Sequence, residues 1–239
     1  MAAKILQLAN SAFIGACGRV SSVSQAVTLI GTETVRTLVL SVHVFSHFER
    51  NSDVAACLPA LWEHSVAAAT LAQEIAISEK CAKAVVEESF TAGLLHDIGK
   101  VVLLAEMPRE YRPILGTTQG PLVALERERL GCTHAQVGAY LMSIWGLPVP
   151  LVHSVALHHC PRETEETHFS ALTAVHAADA IAGETDPSPL NRDAELDLDY
   201  LDRLGMREKV ALWRGVHEAH LAVKPPGREP VDRKDPICR

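Results

Sequence analysis

The stretch AGLLHDIGK, residues 92–100, sets His96 and Asp97 side by side at the end of an apolar run. Imidazole nitrogen and carboxylate oxygen together suit Zn, Fe, Mn, Co or Ni. One adjacent pair is weak ground for a metal site, because such pairs occur by chance. Further donors, each on its own helical segment, strengthen it. His64 lies in WEHSVAAATLAQEIA, and His134 opens HAQVGAYLMSIW. His158 and His159 end VPLVHSVALHH, and Asp179 follows His176 by three residues. Donors on several facing helices suit a metal centre inside a helical bundle. Adjacent side chains diverge, so a carboxylate at 97 could bridge two metals with a histidine on each side. Two metals about 3.5–4 Å apart are the usual arrangement for phosphoester hydrolysis. Lys100, one turn after His96, is placed to stabilise phosphate charge. Gly138, four residues after His134, leaves room for another helix or a ligand to come close.

Each donor also has an ordinary reading. His64 fits a partly buried helix histidine and His134 a first-turn residue. His158 and His159 fit cations at a helix C-terminus, where the dipole favours them. Asp179 fits a surface carboxylate on an amphipathic helix. Singly, each ordinary reading is the stronger one; the joint ordering is what they explain poorly. The other seven of the twelve histidines, His43, His47, His153, His168, His176, His217 and His220, are read as structural or surface residues.

These donors must be carried by a core of adequate size. The chain has 239 residues, 48% of them hydrophobic, enough for one large domain or two small ones. Its net charge of -7 does not favour a nucleic-acid surface. A helix-turn-helix over SVSQAVTLIGTETVRTLVL is disfavoured, because its second segment opens with Thr32, Glu33, Thr34 and a single Arg36 and is otherwise apolar. The six cysteines show no CxxC spacing, and MAAKILQLANSAF lacks the features of a signal peptide. Reduced thiols in a cytoplasmic protein are expected, with no membrane segment and no nucleic-acid partner.

The hydrophobic period is helical nearly throughout, with no strand, so the fold class expected is all-α. Helices are expected from Ser21 or Ser22 to Ile30, from Thr32 or Thr34 onward, over 58–77, over 83–98, between Pro108 and Pro113, from Pro121 to Leu130, from a Thr133 cap, through VPLVHSVALHH, and over 168–183. Gly131 is a natural stop. Residues 49–57 and DPSPLNRD read as linkers, LDLDYLDRLGMREKVALWRGVHEAHL as one or two closing helices, and the tail from Lys224 as disordered. Three parts result: an N-terminal helical subdomain over 1–50, a helical domain with the metal site over 51–185, and a linker, closing helices and tail over 186–239.

The order His64, His96-Asp97, Asp179 resembles the HD superfamily of metal-dependent phosphohydrolases. The added His134 and His158-His159 resemble its binuclear HD-GYP branch, whose members cleave cyclic di-GMP. The DG-GYP loop of that branch is absent: CPRETEETHF follows His159. KILQLANSAFIGACGRVSSVSQAVTLIGTETVRTLVLSV, LERERLGCTHAQVGAYLMSIWGLP and LVHSVALHHCP resemble the HDOD domain, the HD-related output domain of bacterial signalling proteins. This resemblance covers roughly residues 2–205; HDOD domains normally begin with further helices before the point where Met1 stands, so the N-terminal subdomain is expected to be incomplete at its start, the helices lost or the start assigned late. Carried over, His64, His96, Asp97 and Asp179 hold one divalent metal, and His134 with one or both of His158 and His159 a second. Asp97 bridges them, and Lys100 faces substrate phosphate. The ions implied are Fe, Mn or Zn. Many HDOD domains lack these ligands and act as non-catalytic modules. Two functions are therefore expected: a signalling output module binding partner proteins, or a phosphohydrolase acting on a nucleotide or cyclic dinucleotide.

Overall fold

A computed structural model describes residues 52–223 apart from 118, 186–187 and 194, together with 35, 36, 39 and 40. The N-terminal subdomain expected over 1–50 lies outside the described residues except at those four positions, and so does the tail from Lys224. Among the described residues every regular element is helical, as the hydrophobic period requires. The α-helices are α1 Ser52–Ala55, α2 Leu58–Ser78, α3 Lys83–Leu95, α4 Ile98–Glu106, α5 Pro108–Gly116, α6 Leu122–Leu130, α7 His134–Ile144, α8 Val149–Leu157, α9 Ala171–Glu184, α10 Leu198–Arg203 and α11 Val210–Val223. None of them is long and apolar enough to cross a membrane.

Helices α2, α3, α8 and α9 pack together, and α4 packs across α7 beside them. The buried stripe of α2 runs Leu61, His64, Ser65, Ala68, Leu71, Ala72 and Ile75, so His64 points into the core with its apolar neighbours. The alanines allow a close fit: a Cβ at Gly93 of α3 would stand 2.8 Å from Ala69 Cα. Thr133 caps α7 as expected, accepting from Gln136 N–H while the Gln136 side chain accepts from Thr133 N–H. Gly131 ends α6 in the left-handed conformation at φ 75°, which suits glycine.

Three expectations need correction. The helix expected over 83–98 ends at Leu95, and a new one starts at Ile98. His96 and Asp97 form the corner between them. The apolar run is continuous there, so periodicity could not show the break; the crossing with α7 imposes it. The stretch 49–57 is not all linker: α1 buries Val54, with Cys57 behind it, because these apolar side chains one turn apart meet the core. DPSPLNRD contains a 3₁₀ turn, Pro189–Asn191, that buries Leu190.

The crossing of α4 over α7 is a backbone contact. A Cβ at Gly99 would lie 1.9 Å from the His134 carbonyl oxygen and 2.9 Å from Gly138 N. Gly138 matches it from the other side, with Gly99 N 3.3 Å from a Cβ built there. The close approach that Gly138 permits is therefore that of a helix, and it sets Asp97 beside His134. Overpacking of this kind costs about 1–3 kcal/mol and more when backbone must move. Gly99→Ala is expected to destabilise the protein by about 3 kcal/mol in urea unfolding. Gly215→Ala, on α11 with open space around it, is expected to stabilise by up to about 1 kcal/mol. A Gly99→Ala variant as stable as the parent contradicts the crossing.

Candidate metal centre

The corner brings His96 and Asp97 to one point. Adjacent side chains are expected to diverge, yet His96 Nε2 lies 3.4 Å from Asp97 Oδ2. The helix break turns both inward. From α2, His64 Nε2 reaches Asp179 Oδ1 at 2.9 Å and His96 Nε2 at 3.2 Å. On the far side of Asp97, His134 Nε2 stands 3.4 Å and His158 Nε2 4.0 Å from Oδ1. His159 Nε2 meets His134 Nε2 at 3.0 Å. All seven donors singled out in the sequence thus share one buried centre. They fall into groups with metal-ligand spacing: His64, His96 and Asp97; His96, His158 and Asp179; and Asp97, His134, His158 and His159. Oδ2 of Asp97 faces the first group and Oδ1 the last.

Hydrogen bonds behind the rings fix which nitrogen faces inward. His96 Nδ1–H donates to Gly93 O and His158 Nδ1–H to Val155 O, both at 2.7 Å. His134 Nδ1–H donates to the Glu126 carboxylate. In the neutral tautomers each Nε2 lone pair then points at the other donors. With its Nδ1 protonated, His134 accepts at Nε2 from His159 Nε2–H at 3.0 Å. Asp97 Oδ1 and His158 Nε2 are buried and have no hydrogen-bond partner. Orphaned acceptors of this kind carry a desolvation cost, and a divalent cation removes it. The donor set fits two such ions: five imidazoles, two carboxylates, no sulfur.

Charge follows the same logic. Burial opposes ionisation of Asp97, but His96 and Lys100 beside it hold the carboxyl well below its ordinary range. Asp179 behaves alike, with the His64 and His96 hydrogen bonds overcoming burial. Burial alone would lower His96; Asp97 and Asp179 overcome it and raise the ring to about 10. Burial, then neighbouring His96, push His158 down to about 3. In the metal-free protein a proton on His96 therefore holds the two carboxylates together.

The sequence spacing points Lys100 toward substrate phosphate, and in the structure it faces Asp97. Its ammonium lies in the core, 2% exposed, donating to Asp97 Oδ2 and Leu190 O, each at 2.7 Å. Glu126, Tyr111 and His176 escape a reading of the sequence as site residues. Glu126 lies among charged residues in LERERL, and Leu122 and Glu126 share the buried side of α6. His176, assigned a structural role, donates from Nδ1 to the His158 carbonyl and accepts the Asp197 N–H at Nε2, which makes it neutral.

The raised His96 gives a pH dependence for the metal-free protein. The native state holds that proton up to about 10, against 6.5 unfolded, so its contribution is complete below 6.5 and lost as pH rises through about 10. His158, depressed to about 3, and His159 and His176, also depressed by burial, add stability as their unfolded-state protons leave around 6.5 and nothing more from about a unit above it. Stability of the metal-free protein in urea is expected to fall from about 7.5 to about 10, once the unfolded-state histidines are neutral. A flat or rising midpoint over that window contradicts the assignment.

The HDOD domain family model matches residues 1–161. An uncharacterised protein of Treponema pallidum is 28% identical over 166 residues, 68% of this chain and 32% of that protein. A ribonuclease Y of Thermus thermophilus is 34% identical over 129 residues, 54% of this chain and 17% of its own length. The chain therefore spans about a third or less of these relatives. A crystal structure from Shewanella amazonensis SB2B, provisionally described as a phosphohydrolase, is 25% identical with a TM-score of 0.59, covering 92% of this chain and 81% of that one. The helical architecture, the residues that build its corner and the matched span lead to one conclusion: this chain belongs to the HDOD domain family.

Proposed function

We propose that this chain is an HDOD-type signalling module whose core holds two divalent metals, Fe, Mn or Zn, and hydrolyses a phosphoester of a nucleotide or cyclic dinucleotide there. The observation that carries the reading is the split of Asp97: one oxygen faces the His64 and His96 group, the other His134 and His158. When bound, a pair of divalent ions supplies stabilisation of phosphate charge and a water nucleophile at neutral pH. The chain's own residues do the rest. Asp97 holds the two halves at a fixed separation. Lys100 holds Asp97 from behind, as a positioning residue. His159 and Asp179, with side chains 8% and 7% exposed, form the edge by which a substrate arrives. Two relatives support phosphoester chemistry by name, a ribonuclease and a provisional phosphohydrolase. The acidic balance of the chain favours a small phosphoester over a long polyanion. A cytoplasmic location agrees with free thiols at Cys81, Cys132 and Cys160.

A second reading keeps the metals and drops the hydrolysis: a module that binds signalling proteins, stapled by its ions. It is favoured by closure, since the His64, His96, Asp97, His134 and His158 side chains are each at most 2% exposed. Structural metal sites are closed, whereas catalytic ones keep an open position. The test is turnover of bis(p-nitrophenyl) phosphate and of cyclic dinucleotides by Fe-, Mn- and Zn-loaded protein. Asp97→Ala is expected to lose metal and to lower turnover by more than about 100-fold, beyond what loss of an orienting partner produces. Metal-loaded parent protein without turnover on any of these substrates selects the staple. Metal content unchanged in Asp97→Ala removes both readings.

A further inference from the structure

Glu126 is fully buried, yet it belongs to none of the groups with metal-ligand spacing. Its carboxylate is spent on His134. Oε2 accepts the His134 backbone N–H at 2.9 Å and Nδ1–H at 2.8 Å, with Oε1 3.0 Å from the same Nδ1. Tyr111, itself buried, donates its hydroxyl to Oε1 at 2.6 Å. The ring is thus held by an ion through its side chain and its backbone together. His96 and His158 instead lean on the Gly93 and Val155 carbonyls.

The two halves of the centre differ in charge. Around His64 stand Asp179 and Oδ2 of Asp97. Around His134 stand two further imidazoles, His158 and His159, and Oδ1 of Asp97, a carboxylate already shared and paired with Lys100, while Asp179 Oδ2 lies 3.8 Å from the outer His159 Nδ1. A divalent cation in the second half meets less direct negative charge than one in the first. A carboxylate behind a ligating histidine fixes its tautomer and makes the inward nitrogen more basic. Glu126 supplies that charge one hydrogen bond away.

We propose that Glu126 is the positioning residue that sets metal affinity in the His134 half alone, with Tyr111 fixing its carboxylate. This rests on the binuclear reading above. Gln at 126 is nearly isosteric: its amide can face the Tyr111 oxygen while its carbonyl accepts from His134, so the charge goes and the packing stays.

The test is calorimetric titration of metal-stripped protein with Mn²⁺ and with Zn²⁺, alongside thermal unfolding of the metal-free forms. The parent is expected to show two sites. Glu126→Gln is expected to weaken one of them about 10–100-fold and leave the other unchanged. Asp179→Asn is expected to weaken the site that Glu126→Gln spares. Tyr111→Phe is expected to move the same site as Glu126→Gln by a smaller factor, and it carries the test if Glu126→Gln unfolds. Equal weakening of both sites, or none, in Glu126→Gln overturns the proposal while the binuclear reading stands. A parent protein that binds neither metal overturns the binuclear reading, and this proposal with it.

Discussion

Asp97 keeps its charge with almost no contact with water, and the surrounding structure has to make that tolerable. A buried carboxylate is costly unless it is paired and hydrogen-bonded. Lys100 donates to Oδ2, and Oδ1 has no hydrogen-bond partner among the described residues. Oδ1 faces imidazoles whose inward nitrogens are acceptors once their outer nitrogens have donated to Glu126 and Val155. Neither ring offers it a proton in that state. Cations complete such an arrangement. Without them, Lys100 beside Asp97, His64 beside Asp179 and a protonated His96 between the two keep the carboxylates in the same place.

The bundle can be read outward from this point. The Gly99 crossing lets α4 come close enough for Asp97 to reach His134. Lys100 ties the corner to the Leu190 carbonyl, in the segment between α9 and α10. That segment is itself anchored: Arg192 donates to the Ile114 and Thr117 carbonyls, and Asp193 accepts the Val123 N–H at the start of α6. His176 links the His158 carbonyl to Asp197, whose carboxylate Arg162 clamps through two hydrogen bonds. Each of these braces is a residue that touches no metal position. Such bracing keeps ligands within the narrow tolerance that a metal site demands.

Much of this is legible in the sequence, for definable reasons. Helices α2, α7 and α9 follow apolar spacing and caps that local chemistry dictates, as at Thr133 and Gly131. The seven donors are legible because they are rare residue types at the ends or on the buried stripes of those helices. What stays hidden depends on contacts between segments. The break at His96 comes from a helix crossing, and the apolar pattern runs straight through it. The convergence of His96 and Asp97 follows from that break. Glu126 is hidden by charged neighbours in LERERL. Lys100 can be placed one turn from His96, but its inward direction is set by a carbonyl ninety residues away in sequence.

The central claim is that the buried donors form a centre for two metals joined by Asp97. The most direct measurement is elemental analysis of protein purified without chelator, giving metal atoms per chain. The account predicts about two atoms of Fe, Mn or Zn per chain, in agreement with the two faces of Asp97. A chain that holds no metal, even after reconstitution under reducing conditions, would contradict it and leave the buried lone pairs unexplained.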